Sequence, residues 1–341
     1  MKRSGRICGI AGAALALLTI PVLAACAQGG NGGGDGGKKV NIAVLEYTNS
    51  GDIVQAYVRG AKSVVTGDGG SVTLFNANFD PQAQISQCQD AVTSGRFDAI
   101  ILVPVDPATG VPCVKAAQAA NIPVATLETA VGKDAFSLKP QVKGVVAVAT
   151  TPIEEVVDVF AQLVTEACGD ARPCEVIDEI ASPSDPYTTQ LADGVEAKVK
   201  ADDISIVQRI STGYDPAQVA SQLPDALSAH PNATVFLAAS DSSAIAAVAP
   251  LKTAGLTDKV KIIGSGGSSE GAAAVADGSV FATTGNWPKQ YGALLAEALV
   301  QAVNGEKVKN VSINFWKVDT PVKITKDNVS TFTPEWGAGT N

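Results

Sequence analysis

Residues 79–106 read FDPQAQISQCQDAVTSGRFDAIILVPVD and residues 214–241 read YDPAQVASQLPDALSAHPNATVFLAASD, aligned without a gap at a constant offset of 135. Phe79-Asp80-Pro81 lies on Tyr214-Asp215-Pro216, Ser86-Gln87 on Ser221-Gln222, and Asp90-Ala91 on Asp225-Ala226. The apolar run Ile100-Ile101-Leu102 lies on Val235-Phe236-Leu237, and Asp106 on Asp241. Each copy supplies an aromatic-Asp-Pro turn, one amphipathic helix, a short loop and a buried strand ending in an aspartate. A repeat of this length implies two similar lobes, and two facing lobes define a cleft.

The rest of the chain fits that frame. Apolar runs at 40–45, 71–75, 122–127, 145–148, 175–180, 204–210, 260–263 and 280–284 read as strands. Helical spacing lies between them at 53–65, 107–120, 152–167, 188–200, 242–254, 268–276 and 289–303. Strand–helix alternation with short loops predicts parallel sheets with right-handed crossovers, an α/β fold. The tail from 308 holds a strand-like stretch at 311–318, then polar sequence broken by prolines.

The first 26 residues read as a segment outside the fold. Lys2, Arg3 and Arg6 precede an apolar run from Ile7 to Val22, and Leu23-Ala24-Ala25-Cys26 resembles a lipobox in which Cys26 carries lipid after cleavage. Gly9, Gly12 and Pro21 interrupt the run, which is short against the roughly 20 residues of a membrane span. Residues 27–39, mostly glycine, read as a flexible tether. The expected address is outside the cytoplasm: lipid-anchored on the outer face of the cell membrane, or in the periplasm. Without the leader, 22 basic residues face 34 acidic ones, a net charge of −12. An acidic body with no basic run offers nucleic-acid phosphates nothing to bind.

Cysteine usage agrees with export. Cys8 leaves with the leader and Cys26 is taken by lipid, so Cys88, Cys113, Cys168 and Cys174 remain. Cys88 and Cys113 fall on neighbouring helices, and Cys168 and Cys174 bracket Gly-Asp-Ala-Arg-Pro, which predicts bridges 88–113 and 168–174 over buried free thiols. Zinc is poorly supported, because His230 is the single histidine and no CxxC spacing occurs. No cofactor or metal is expected.

Ligands of open α/β sheets bind beyond the carboxyl ends of the strands. In the first lobe those ends carry Glu46-Tyr47-Thr48-Asn49, Asp106 and Glu128-Thr129; in the second, Ser182 to Gln190, Ser240-Asp241, Ser265-Gly266-Gly267 and Asn286. Hydroxyls, amides and carboxylates with Tyr47, Tyr214 and Trp287 as flat faces suit a neutral, hydroxyl-rich small molecule.

Asn41-Ile42-Ala43-Val44, Ala119-Ala120-Asn121-Ile122-Pro123-Val124, Ser228-Ala229-His230-Pro231, Leu251-Lys252-Thr253-Ala254-Gly255 and the run from Lys261 through Asn304-Gly305-Glu306-Lys307-Val308 complete a resemblance. Over about residues 40–318 the chain resembles the sugar-binding lipoproteins and periplasmic proteins of ABC importers, of the ribose-binding-protein type. The resemblance implies two Rossmann-like lobes with parallel sheets joined by a three-stranded hinge, the periplasmic binding protein type I fold. It places the lobes at 40–148 plus 287–318 and at 149–286 plus 319–341, with helix 289–303 returning to the first. It implies a monomer that closes on a sugar, polyol or cyclitol and docks to ABC permease subunits. The ligand-binding residues it implies, with those read from the rim, are Tyr47, Asn49, Glu128, Gln190, Tyr214, Ser240, Asp241 and Asn286. Three positions depart from the family pattern. Ile53-Val54 replaces a double aromatic, Leu191 an arginine, and Gly264-Ser265-Gly266-Gly267 a turn bearing a carboxylate. Losing that arginine and aspartate removes two charge-assisted partners of ring hydroxyls, which favours a polyol, cyclitol or modified sugar over an ordinary pyranose.

Plainer roles compete at several of these positions. Asp106 and Asp241 stand where helix caps stand, Tyr214 matches a residue that could be core, Trp287 could pack the hinge, and Glu46 and Glu128 could be solvated rim carboxylates. Gly267-Ser268-Ser269-Glu270-Gly271 fits the G-x-S-x-G elbow of a serine hydrolase, but the sole histidine precedes it, against the hydrolase order. The chain reads as a binding protein and not an enzyme. A sensory protein that hands its ligand to a membrane receptor would share the fold.

Overall fold

Strand β1 (Asn41–Glu46) is the second strand of a six-stranded sheet, and its apolar side chains are buried on both faces. A strand covered on both sides must read as a continuous apolar run, as in parallel α/β sheets. The computed structural model describes residues 39–48, 51–183 and 185–340. The leader, Cys26, residues 27–38 and Asn49 therefore lie outside the described residues.

In lobe one, β1 is followed by α1 (Asp52–Val65), β2 (Ser71–Asn76), α2 (Pro81–Thr93), β3 (Ala99–Leu102), α3 (Gly110–Ala119), β4 (Val124–Leu127) and β5 (Val145–Thr150). Lobe two runs α4 (Ile153–Cys168), β6 (Cys174–Ile180), α5 (Pro186–Val199), β7 (Ile204–Ser211), α6 (Pro216–Ala229), β8 (Ala233–Leu237), α7 (Asp241–Thr253), β9 (Lys261–Ile263), α8 (Ser269–Asp277) and β10 (Ala282–Thr284). The chain then returns through α9 (Pro288–Val303) and β11 (Ser312–Asn314) and ends with β12 (Lys323–Thr325). The strand orders are β2-β1-β3-β4-β5-β11 and β7-β6-β8-β9-β10-β12, the same winding twice. Apart from the antiparallel β10–β12 pair, the strand pairs are parallel. The chain thus passes between the two sheets three times, after β5, after β10 and between β11 and β12.

Each sheet is covered on both faces. In lobe one, α1 and α9 pack on one face with Tyr57, Tyr291 and Leu295, and α2 and α3 on the other with Cys88 and Cys113. Helix α9 lies so close to α1 that a Cβ on Gly292 would stand 2.2 Å from the Tyr57 carbonyl, and one on Gly60 2.0 Å from that of Lys289. Both glycines are required by backbone approach. In lobe two, α6, α7 and α8 cover one face and α4 and α5 the other.

The repeat turn has a common geometry. Phe79 and Tyr214 both take left-handed φ, +58° and +60°. Asp80 then caps α2, accepting from Gln82 N at 2.8 Å, and Asp215 caps α6, accepting from Ala217 N at 2.9 Å, each followed by proline in the first turn. Asp185 begins α5 in the same way, accepting from Thr188 N at 2.7 Å.

Cys88–Cys113 joins α2 to α3, and Cys168–Cys174 joins the end of α4 to the start of β6, the pairings expected from the sequence. Two sequence expectations need correcting. The helix expected from 107 starts at Gly110, because the Asp106 carboxylate first turns the chain by accepting from Ala108 N and Thr109 N at 2.8 and 3.0 Å. The strand expected over 311–318 is only β11. Asn314 Oδ1 accepts from Trp316 N at 3.0 Å and starts a 3-10 turn, Phe315–Lys317. The tail beyond is ordered: Glu335 Oε2 accepts from Lys289 N at 2.8 Å, capping α9, and Trp336 Nε1 donates to Gly266 O at 2.8 Å. Among the described residues no helix is long and apolar enough to cross a membrane.

Candidate functional site

The carboxyl ends of β1 and β4 flank that of β3 and bring two carboxylates together. Glu46, the last residue of β1, is 0 % exposed. It accepts the Tyr57 hydroxyl from α1 and the backbone N–H of Tyr47 at 3.0 Å. A solvated rim carboxylate is thereby corrected to a buried one. Glu128 follows β4 with φ +65°, a strained conformation for a residue other than glycine. Its carbonyl accepts the Thr150 hydroxyl at 2.7 Å, and its Oε2 accepts the Tyr47 hydroxyl at 2.7 Å. Burial, then repulsion from Glu128, holds the Glu46 carboxyl well above its ordinary range. Burial raises Glu128 as well, opposed by the Tyr47 hydrogen bond.

Lobe two presents aromatic rings to this pair. Tyr187, near the start of α5, is hydrogen-bonded to Ser265, and burial pushes its phenol up to about 12. Tyr214 is 42 % exposed, so much of its ring remains open to a ligand. Its phenol is raised by burial first and then by Asp185, Tyr187, Glu128 and Glu179. The lobes meet where Phe136, in the loop after β4, lies 6.1 Å from the Tyr187 ring. On the other wall Phe79 lies 5.2 Å from Tyr47. At the second crossing, Asn286 is hydrogen-bonded to Tyr291, while its Oδ1 is buried without a partner.

Of the expected site residues, Tyr47, Glu128, Tyr214 and Asn286 gather at this seam, and Asn49 lies outside the described residues. Gln190 is exposed on α5. Ser240 caps α7, accepting from Ser243 N at 3.2 Å. Asp241 is turned inward. Its Oδ2 accepts from Ser268 N at 2.7 Å and Ser268 Oγ at 2.8 Å, and its Oδ1 accepts Thr283 Oγ1 at 2.5 Å. Its carboxylate therefore anchors the glycine turn. Trp287, 2 % exposed, packs edge-on against Phe332 in the core of lobe two.

The departures noted in the sequence have local causes. Leu191 belongs to the apolar core under α4 and α5. A Cβ on Gly266 would stand 2.8 Å from Trp336, and one on Gly267 2.9 Å from Phe332, so the C-terminal tail occupies the room a larger turn residue would need. Among the described residues the elbow serines have structural partners: Ser268 caps α8, Ser269 Oγ bonds to Ala338 O at 2.9 Å, and His230 ends α6. No metal-binding cluster of His, Cys, Asp or Glu occurs among the described residues.

Sequence reasoning missed Tyr57, Tyr291 and Glu179, and held Tyr187 only within the rim stretch 182–190 without singling it out. Glu179, the next-to-last residue of β6, is the counterpart of Glu46. It accepts Ala239 N at 2.8 Å, Ser243 Oγ at 2.9 Å and the Thr212 hydroxyl. A signal was present: the chain holds five tyrosines, and each stands at this seam or directly behind it.

Two layered lobes with polar and aromatic groups at facing strand ends define a two-lobed solute-binding protein. The chain belongs to the periplasmic binding protein domain family, whose model matches residues 42–307. It is 25% identical over 273 residues to the ribose import binding protein RbsB of Escherichia coli (strain K12), covering 80% of this chain and 87% of that protein. Among solved structures it resembles an ABC transporter solute binding protein from Mycobacterium smegmatis with bound glycerol: TM-score 0.74, 24% identity, 88% of this chain and 100% of that one. It also resembles the Caulobacter myo-inositol binding protein bound to myo-inositol, with a TM-score of 0.73, 20% identity and coverage of 87% and 97%. The architecture is that of sugar- and polyol-binding proteins of ABC transporters.

Proposed function

We propose that this protein captures a small hydroxylated molecule (a sugar, polyol or cyclitol) between its lobes and delivers it to the permease of an ABC importer. The observation that carries this reading is the Tyr47–Glu128 hydrogen bond of lobe one facing Tyr187 and Tyr214 of lobe two. Carboxylate and amide oxygens accept from hydroxyls, and flat rings cover the CH faces of a sugar or cyclitol. The solved relatives with glycerol and myo-inositol support the same chemistry.

In this reading Tyr47, Glu128, Tyr214 and Asn286 touch ligand, joined by Tyr187, and Asn49, Gln190 and Ser240 lie along the rim. Asp241 positions the turn at Gly264–Gly267 and does not touch ligand. The protein works by conformation alone and is not an enzyme. Ligand bridges both lobes, and rotation at the three crossings closes them by as much as the ligand prefers the closed form. The leader and Cys26 support export, to the periplasm or to the outer face of the cell membrane on a lipid anchor, with the protein acting as a monomer.

A thermal-shift screen over sugars, polyols and cyclitols tests this, since a ligand of the native state raises stability by RT ln(1 + [L]/Kd). A saturable rise with at least one member is expected. No shift across the whole set would contradict the proposal.

A further inference from the structure

Among the described residues the cleft holds carboxylates and no cationic side chain paired with them. Glu128 Oε2 is taken by Tyr47, so Oε1 is the oxygen of that carboxylate offered to a ligand. Asn286 Oδ1 is buried without a donor. Behind them stands Glu46, a second carboxylate with no exposed surface. The ion pairs among the described residues lie elsewhere: Arg209 with Asp178, Asp193 and Glu196, and three lysines with Asp158, Glu155 and Glu166. Two neighbouring carboxylates, Glu46 fully buried and Glu128 half-buried, without a counter-charge are unfavourable unless a cation joins them or a proton neutralises one.

We infer that the hydroxylated ligand of this cleft also carries a protonated amine, as an amino sugar, aminopolyol or aminocyclitol does, and that its ammonium is held by Glu128 and Asn286 among the tyrosine rings. The inference rests on the reading of the cleft given above. An ammonium supplies three donors and no acceptor, the complement of Glu128 Oε1 and Asn286 Oδ1. The faces of Tyr47, Tyr187 and Tyr214 attract it through their ring quadrupoles. A neutral polyol would satisfy the acceptors and leave the charge unanswered.

Binding is then coupled to protons. The titratable groups that act on the pair or on its tyrosines are Tyr47 just after β1, Tyr57 on α1, Tyr291 on α9, Asp185 and Tyr187 at the start of α5, Tyr214 ahead of α6, Glu179 on β6 and Glu335 in the tail. All are carboxyls or phenols. Burial keeps Glu46 and Glu128 protonated to higher pH than free carboxyls, so a bound ammonium expels a proton.

The test is calorimetry on the whole chain in mild detergent, with glucosamine against glucose, glucamine against sorbitol and scyllo-inosamine against scyllo-inositol. Tetramethylammonium serves as a cation without hydroxyls. Buffers of different ionisation enthalpy report proton release. At least one amine should bind about tenfold more tightly than its hydroxyl counterpart, releasing protons, and Glu128→Gln should bring that ratio near one. Neutral members binding as well as or better than the amines would overturn the inference and leave the hydroxylated-ligand reading standing. Binding of tetramethylammonium alone would keep the ammonium seat and sink the hydroxylated reading. Binding by none of the probes would overturn both.

Discussion

The Tyr47 hydroxyl and Glu128 Oε2 lie 2.7 Å apart, tying the end of β1 to the end of β4 across the intervening β3. This bond fixes one oxygen of the carboxylate and leaves the other for a ligand. Tyr47→Phe keeps the ring and frees both oxygens. Loss of this intramolecular bond to a carboxylate should lower the stability of the unliganded protein by about 1.5–3 kcal/mol at most, and with the carboxylate no longer held in place ligand affinity should fall by roughly tenfold or more. Calorimetry with the tightest ligand of the screen checks this; unchanged affinity would remove Tyr47–Glu128 from the site.

Tyr214 and Asp241 stand at opposite ends of the repeat's second copy and should respond in opposite ways. Tyr214 is exposed and carries no hydrogen bond among the described residues, so Tyr214→Ala should weaken binding more than tenfold and leave stability alone. Asp241 is 1 % exposed and satisfies Ser268 and Thr283. Asp241→Ala leaves those donors buried without a partner, at about 1–3 kcal/mol for each group left unsatisfied. Urea unfolding beside ligand titration separates the two. Equal stability of both variants would contradict the inward role of Asp241.

Glu46 predicts a pH dependence. Burial and the charge of Glu128 raise its carboxyl well above the ordinary value. The folded state then binds more protons than the unfolded one, so stability falls as pH climbs from the unfolded value, about 4.3, toward the raised one. Glu46→Gln abolishes that titration and keeps an oxygen for the Tyr57 hydroxyl. Melts of the unliganded protein from about pH 5 to about pH 8 should show a shallower fall of Tm in the variant, which is the more stable of the two at the upper end. Parallel curves would argue against a strained buried carboxylate.

The Cys88–Cys113 bridge closes a loop with a sequence separation of 25. In the chain-entropy account such a loop contributes roughly 3–4 kcal/mol. Replacing both cysteines with serine should lower the unfolding free energy by about that amount, measured by urea unfolding, with ligand affinity retained because α2 and α3 lie beneath the sheet face.

Much of this was legible in the residues, and the remainder was illegible for physical reasons. The repeat announced the doubled sheet, because the aromatic-Asp-Pro turn caps a helix in both copies, at Asp80 and Asp215. Cys88 and Cys113 could be paired because the βα pattern placed their helices side by side. Tyr57 and Tyr291 could not be found. Their helices are read by apolar period, and only the close crossing of α1 and α9 at Gly60 and Gly292 turns both phenols toward β1 and β4. Asp241 looked like a rim residue because it follows the carboxyl end of a strand, as Asp106 does. The first is buried by the glycine turn and the second stays at the surface, a difference set by the tail packing through Trp336 and Phe332. That tail carries little apolar period of its own, and its order comes from contacts distant in the chain.

A crystal structure of the protein with the tightest ligand of the screen tests the central claim most directly. Density for that ligand between the Tyr47–Glu128 pair and the rings of Tyr187 and Tyr214 is the predicted result. Density elsewhere, for instance in the groove of roughly 790 Å³ between α4 and β12 lined by Val159, Phe281 and Lys323, with the seam between the lobes left to solvent, would contradict it.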